Sequence, residues 1–129
     1  MDIELKMLAW SMVLGLAQIL ITAGAVPRER GSRWNASARD GTPPPPGVMA
    51  GRLQRAQANF LETFPFFAAA VLAVVVADLQ GSTSALAGQL YFWARLVYVP
   101  LYAFGVPYVR SLVWLVSLVG IGMLLLQLL

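Results

Sequence analysis

Four apolar stretches alternate with polar breaks along the chain. Met7 to Val26 carries no charge and is long enough to cross a bilayer, which takes about 20 residues of helix. Pro27 and the cluster Arg28, Glu29, Arg30 and Arg33 are expected to end it. Residues 27–47 read as a polar loop, with Gly31, Gly41 and the run Pro43-Pro44-Pro45-Pro46. Four prolines in a row favour a stiff polyproline II strut over a packed element. A second helix is predicted from about Val48 to Asp78, and its second half, Phe64 to Ala77, is continuously apolar. Gln80-Gly81-Ser82-Thr83-Ser84 reads as a short turn. A third helix is expected over Ala85 to Phe104, then a tight connection at Gly105-Val106-Pro107, then a fourth helix over Tyr108 to Leu129. The fold predicted is all-α: one integral membrane domain over residues 1–129, a four-transmembrane-helix bundle.

Composition supports that reading. Hydrophobic residues make up 59% and charged residues 12%, against roughly 45–50% and about 25% in soluble domains. The surplus apolar surface must face lipid. The first stretch opens with Asp2 and Glu4 and lacks a small-x-small cleavage site, so it reads as a retained helix rather than a removed signal. Cysteine and histidine are absent. That excludes disulfides, thiolate metal sites, a cysteine nucleophile and the commonest general base and zinc ligand. Any chemistry must use Arg, Tyr, Ser, Glu, Asp or Asn, or arrive with a small molecule. A net charge of +3 is too small and too local for nucleic acid. The basic residues also set an orientation. Arg28, Arg30, Arg33, Arg39 and Arg52 flank the first loop and Arg110 follows the third connection, while the opposite side has Lys6. The positive-inside rule then places loops one and three in the cytoplasm and both termini outside.

The polar residues inside the apolar stretches are not scattered. Arg52, Arg55, Asn59 and Glu62 are spaced 3, 4 and 3 apart, which stacks them on one helical face. Such a stripe is expensive against lipid, so it should face protein or a wet cavity. Pro65 frees the Leu61 carbonyl and can kink the helix. Helix three adds Arg95, with Tyr98 and Tyr102 on a neighbouring face. Glu62 lies ten residues from Arg52 and Arg95 ten from Gly105, so each sits roughly 15 Å below the same surface. A Glu62–Arg95 ion pair is the simplest way to keep both charged. Such a pair, with Asn59, also suits a mere lock between helices. Arg52, Arg55 and Arg110 exceed what one carboxylate can neutralise, which suggests an anionic ligand or lipid headgroups. A proton or ion path through Glu62 and Arg95 is disfavoured, because the outer half of each helix offers no evident polar stepping stones. Trp10, Trp93 and Trp114 read as lipid-facing or interfacial. Asn35-Ala36-Ser37 matches a glycosylation sequon but falls on the expected cytoplasmic side.

Arg52-x-x-Arg55-x-x-x-Asn59-x-x-Glu62-x-x-Pro65 resembles the helix-two signature of the MAPEG family, the membrane-associated proteins in eicosanoid and glutathione metabolism. Arg95-x-x-Tyr98-x-x-x-Tyr102, followed by Gly105, Pro107 and Arg110-Ser111, is similar to that family's next segment. The likeness covers nearly the whole chain, and the proline run and short third connection resemble its small bacterial members. The resemblance implies a homotrimer in a bacterial inner membrane, with glutathione held between subunits and open to the cytosol. It implies that Arg52, Arg55, Asn59, Glu62, Arg95, Tyr98 and Tyr102 bind glutathione, and that Arg110, with Ser111 beside it, stabilises the glutathione thiolate. The expected activity is that of a glutathione-dependent transferase or peroxidase acting on lipophilic electrophiles or hydroperoxides. The alternative is a non-catalytic protein that holds a lipid or a protein partner in the same inter-helix crevice.

Overall fold

A computed structural model describes residues 2–30, 38, 41 and 46–129. Among the described residues it holds four helices: α1 (Ile3–Arg30), α2 (Val48–Val76), α3 (Ser82–Ala103) and α4 (Pro107–Leu128). Most of the expected proline strut, the Asn35 sequon, Arg33 and Arg39 lie outside the described residues.

The ends of the helices depart from the sequence reading for local reasons. α1 does not stop at Pro27. It runs through it to Arg30, because a proline in the last turn forfeits one backbone bond without splitting a long helix. α2 likewise continues past Pro65 and ends at Val76, not Asp78. Asp78 takes a left-handed conformation (φ 58°). The Leu79 and Asp78 amides bond back to the Val74 and Val75 carbonyls at 3.0 and 3.1 Å, the pattern that closes a helix with a left-handed residue. The expected turn at 80–84 is mostly helix, since α3 starts at Ser82. Ser84 explains it: its hydroxyl oxygen accepts the Gly81 amide at 2.9 Å and caps the first turn.

The chain runs up and down. Gly15 of α1 lies against the Phe60 ring of α2, Gly88 of α3 lies against Met7 and Glu4 of α1, and Gly120 of α4 lies against Ala87 and Tyr91 of α3. α2 and α3 each touch all three other helices, while α1 and α4 flank them on opposite sides. The C-terminal ends of α1 and α3 and the N-terminal ends of α2 and α4 share one end of the bundle. Arg28, Arg52, Arg55 and Arg110 cluster there, and Asp2, Glu4 and Asp78 mark the other end.

α1, α2 and α4 are each long and apolar enough to cross a membrane. Of the four expected spans, α3 alone falls short of that measure of length and hydropathy. Its Ser84 and Arg95 are buried, because a central helix faces protein on several sides and can hide polar groups from lipid. The chain is an integral membrane protein, and exposed apolar side chains such as Trp10, Leu16 and Leu20 on α1 suit a lipid surround.

Lipid is as apolar as leucine, so helix association rests on close packing and on polar contacts. Phe67 stacks on Tyr91 with centroids 3.9 Å apart, and the Tyr91 hydroxyl shares a 2.9 Å hydrogen bond with Thr63. At the acidic end the Ser84 hydroxyl donates to the Glu4 carboxylate, and Gln80 Nε2 donates to Asp2 Oδ2 at 3.0 Å. Every polar side chain of α1 between Glu4 and Thr22, apart from Lys6, falls on its buried seam: Glu4, Ser11, Gln18 and Thr22. Glu4 and Ser11 lie in the half of α1 toward the acidic end, where the sequence reading expected no polar stepping stones. Hydropathy averaged along a stretch does not register which face a polar residue occupies.

Candidate functional site

The basic end contains an open crevice of about 280 Å³ lined by Asn59, Tyr98, Tyr102, Arg110, Ser111 and Trp114. Three helices build it. α2 contributes Asn59, α3 contributes Tyr98 and Tyr102 one turn apart, and the first two turns of α4 contribute the rest. Spacings of three and four residues put these groups on the inward faces of their helices.

Tyr102 is its hub. Arg55 Nε donates a 3.2 Å hydrogen bond to the Tyr102 hydroxyl. The Arg55 guanidinium carbon is 5.7 Å from the Tyr102 ring centroid and that of Arg110 is 4.6 Å from it. The Tyr98 ring lies 5.7 Å from Tyr102, and Arg95 covers Tyr98 at 4.4 Å. Guanidinium groups are attracted to ring faces by the negative quadrupole. The π-faces thus hold three cations close together, and among the described residues no carboxylate forms an ion pair with them. Ser111 donates to the Pro107 carbonyl at 3.4 Å within its own helix. Asn59 Oδ1 is buried in the chain and has no hydrogen-bond partner.

Not every residue predicted for the site reaches the crevice. Arg95 is 1% exposed. It lies between the rings of Tyr98 and Phe60, the latter at 5.7 Å, and its Nε and Nη1 find no hydrogen-bond acceptor. Glu62 is exposed on the surface of the single chain, and among the described residues no ion pair joins it to Arg95. The expected Glu62–Arg95 pair is thus corrected: equal depth along two helices does not fix which way each side chain turns, and the aromatic faces beside Arg95 take the guanidinium instead. Arg52 points to the α3–α4 turn, where its Nη1 donates to the Ala103 carbonyl at 3.2 Å. Conversely, Trp114 lines the crevice and is only partly exposed, whereas Trp10 and Trp93 are exposed as expected. Its position four residues beyond Arg110, one turn along the same face, was the available signal.

The MAPEG family model matches residues 7–129, nearly the whole chain. The chain belongs to the MAPEG family. No curated protein and no solved structure matches it. For a MAPEG protein, the family of membrane-associated proteins in eicosanoid and glutathione metabolism, the crevice is the place where polar groups, excess positive charge and access from the basic end coincide. Its inventory fits an anionic, amide-containing molecule. Arg55 and Arg110 are donors for anionic groups, the tyrosine hydroxyls donate or accept, and the orphan Asn59 oxygen accepts an N–H.

Proposed function

We propose that this MAPEG protein binds glutathione in the crevice and uses it in a transferase or peroxidase reaction on lipophilic electrophiles or hydroperoxides. The observation that carries this reading is the meeting of Arg55, Arg110 and the orphan Asn59 acceptor around Tyr98 and Tyr102. Glutathione supplies the thiol that a chain without cysteine lacks. Arg55 holds a carboxylate at the mouth, Asn59 accepts an amide or ammonium N–H, and Glu62 takes the ammonium group from the exposed side. Arg110 favours the thiolate over the thiol by placing a positive charge beside it. Ser111 offers its hydroxyl next to that position.

A crevice of about 280 Å³ is at or below the range of roughly 300–1,000 Å³ typical of ligand pockets. It makes one wall of a site. Glu62 and the exposed stripe of α2 do not belong against lipid, so a homotrimer in which the neighbouring subunit supplies the opposite wall is part of the proposal. The basic end then faces the cytoplasm of a bacterial inner membrane, with both termini outside. The lipophilic partner enters laterally. The groove between α3 and α4, lined by Leu90, Trp93, Val97, Val113 and Val116, suits an apolar chain.

The deciding experiment pairs calorimetry of glutathione on the detergent-solubilised protein with ultraviolet difference absorbance of the thiolate. Wild type binds and shows a thiolate signal. Arg110→Ala keeps binding but loses turnover by on the order of 10²-fold, the usual effect of removing one stabiliser of a developing anion. Binding without any thiolate signal or turnover in wild type would favour a non-catalytic lipid or partner-binding protein. No binding at all would overturn the proposal.

A further inference from the structure

The geometry points to Arg52 as a positioning residue that sets Arg110 by bolting the start of α2 to the α3–α4 turn, an inference that rests on the glutathione reading only for its catalytic consequence. The turn itself explains the need. α3 ends with Gly105 in the left-handed region (φ 71°). The Phe104, Gly105 and Val106 amides bond back to the Pro100, Tyr102 and Leu101 carbonyls at 2.9, 3.1 and 2.9 Å. Those bonds satisfy three of the four carbonyls that a helix C-terminus leaves open. The fourth, on Ala103, receives Arg52 Nη1 at 3.2 Å.

The same guanidinium lies flat against Gly105. A Cβ built there would meet Arg52 Nη2, Cζ and Nη1 at 3.0, 3.1 and 3.3 Å. The positive φ favours glycine there, and a larger residue would also have to push the guanidinium off the turn. Two residues later Pro107 opens α4, and Arg110 follows within the first turn. Residues 105–109 join the Arg52 anchor to the cation at the crevice. Arg52 holds a carbonyl and a backbone face, whereas Arg55, one turn along the same helix, holds the Tyr102 hydroxyl and flanks the crevice. The two arginines of one sequence motif therefore do different work. The planar fork matters as much as the charge, because lysine presents a point donor that cannot both bond the carbonyl and cover the glycine.

The chain has no cysteine, so Tyr108→Cys, at a position 88% exposed on the first turn of α4, gives a unique spin-label site in the full-length protein. Arg52→Gln and Arg52→Lys are both expected to mobilise that label, while Arg55→Gln leaves its spectrum unchanged. Arg52→Gln is expected to cut the thiolate signal of bound glutathione by about tenfold or more, as a displacement near 1 Å can, with affinity kept within about threefold of wild type, an energy under about 1 kcal/mol. Arg55→Gln is expected to show the reverse, weaker affinity with an unmoved turn. A label that stays immobile in Arg52→Gln overturns the inference. So does a loss of affinity in Arg52→Gln matching that of Arg55→Gln with the turn intact, which would make Arg52 a direct ligand. Full rescue by Arg52→Lys also overturns it, since charge alone would then suffice. If wild type binds no glutathione, the proposed function falls while the label spectra still decide what Arg52 anchors.

Discussion

Alanine at Gly120 puts a methyl group where the neighbouring helix already stands. A Cβ there would lie 2.7 Å from the Ala87 carbonyl oxygen and 3.2 Å from the Tyr91 amide nitrogen. Both are backbone atoms of α3, so neither can swing aside as a side-chain tip would. The helices must separate, and the pair concerned has the most extensive contact in the bundle. Overpacking of this kind costs about 1–3 kcal/mol. Gly122 lies on the same helix, and a Cβ there meets nothing within 4 Å. At that position alanine brings only its better helix propensity, a gain of up to about 1 kcal/mol. Because both variants gain the propensity term, their difference isolates the clash: Gly120→Ala should be less stable than Gly122→Ala by about 1–3 kcal/mol. Unfolding in mixed micelles, titrated with a denaturing detergent and followed by circular dichroism, measures both midpoints. Stabilities that agree within about 0.3 kcal/mol, the scatter expected of independent sites, would refute the argument that backbone contact at Gly120 sets the α3–α4 spacing.

Three further outcomes follow from single contacts. Thr63→Val removes the partner of the buried Tyr91 hydroxyl and should cost about 1–3 kcal/mol, while Tyr91→Phe in the same background should recover part of it; a double mutant no better than Thr63→Val in the same unfolding assay would count against the pairing. Asp78→Gly relieves a left-handed aspartate (φ 58°) and should stabilise by about 1 kcal/mol, seen as a raised unfolding midpoint; a lowered one would mean the carboxylate has a role of its own. Tyr102→Phe keeps the ring beside Arg55 and Arg110 and loses one hydrogen bond, so under the proposed function glutathione affinity should fall by less than about tenfold, close to 1 kcal/mol, and Tyr102→Leu should fall further. Equal losses by calorimetry would show that the ring faces do not organise the cations.

The membrane class, the four-helix order and the spacing of the polar residues on α2 were legible in the chain because each follows from a one-dimensional pattern. An apolar run of about 20 residues has few fates other than a span. Arg52, Arg55, Asn59 and Glu62 share a face by the geometry of any α-helix, and the motif they form belongs to a family whose model covers residues 7–129. Helix ends were less legible. Pro27 reads as a terminator, yet a single missing amide in the last turn did not stop α1.

Tertiary structure alone decided what each polar group meets. The two arginines of one motif diverge because α2 passes the α3–α4 turn at Arg52 and the Tyr102 ring at Arg55. Arg95 packs onto Tyr98 and Phe60 instead of forming an ion pair with Glu62, since side-chain direction depends on the faces presented by other helices. Trp114 lines the crevice and Ser11, Gln18 and Thr22 lie buried, because burial is a property of the packed bundle. Periodicity fixes the angle of a residue about its own helix axis, but only the rotation of each helix against its neighbours determines whether that angle faces lipid, protein or the open crevice.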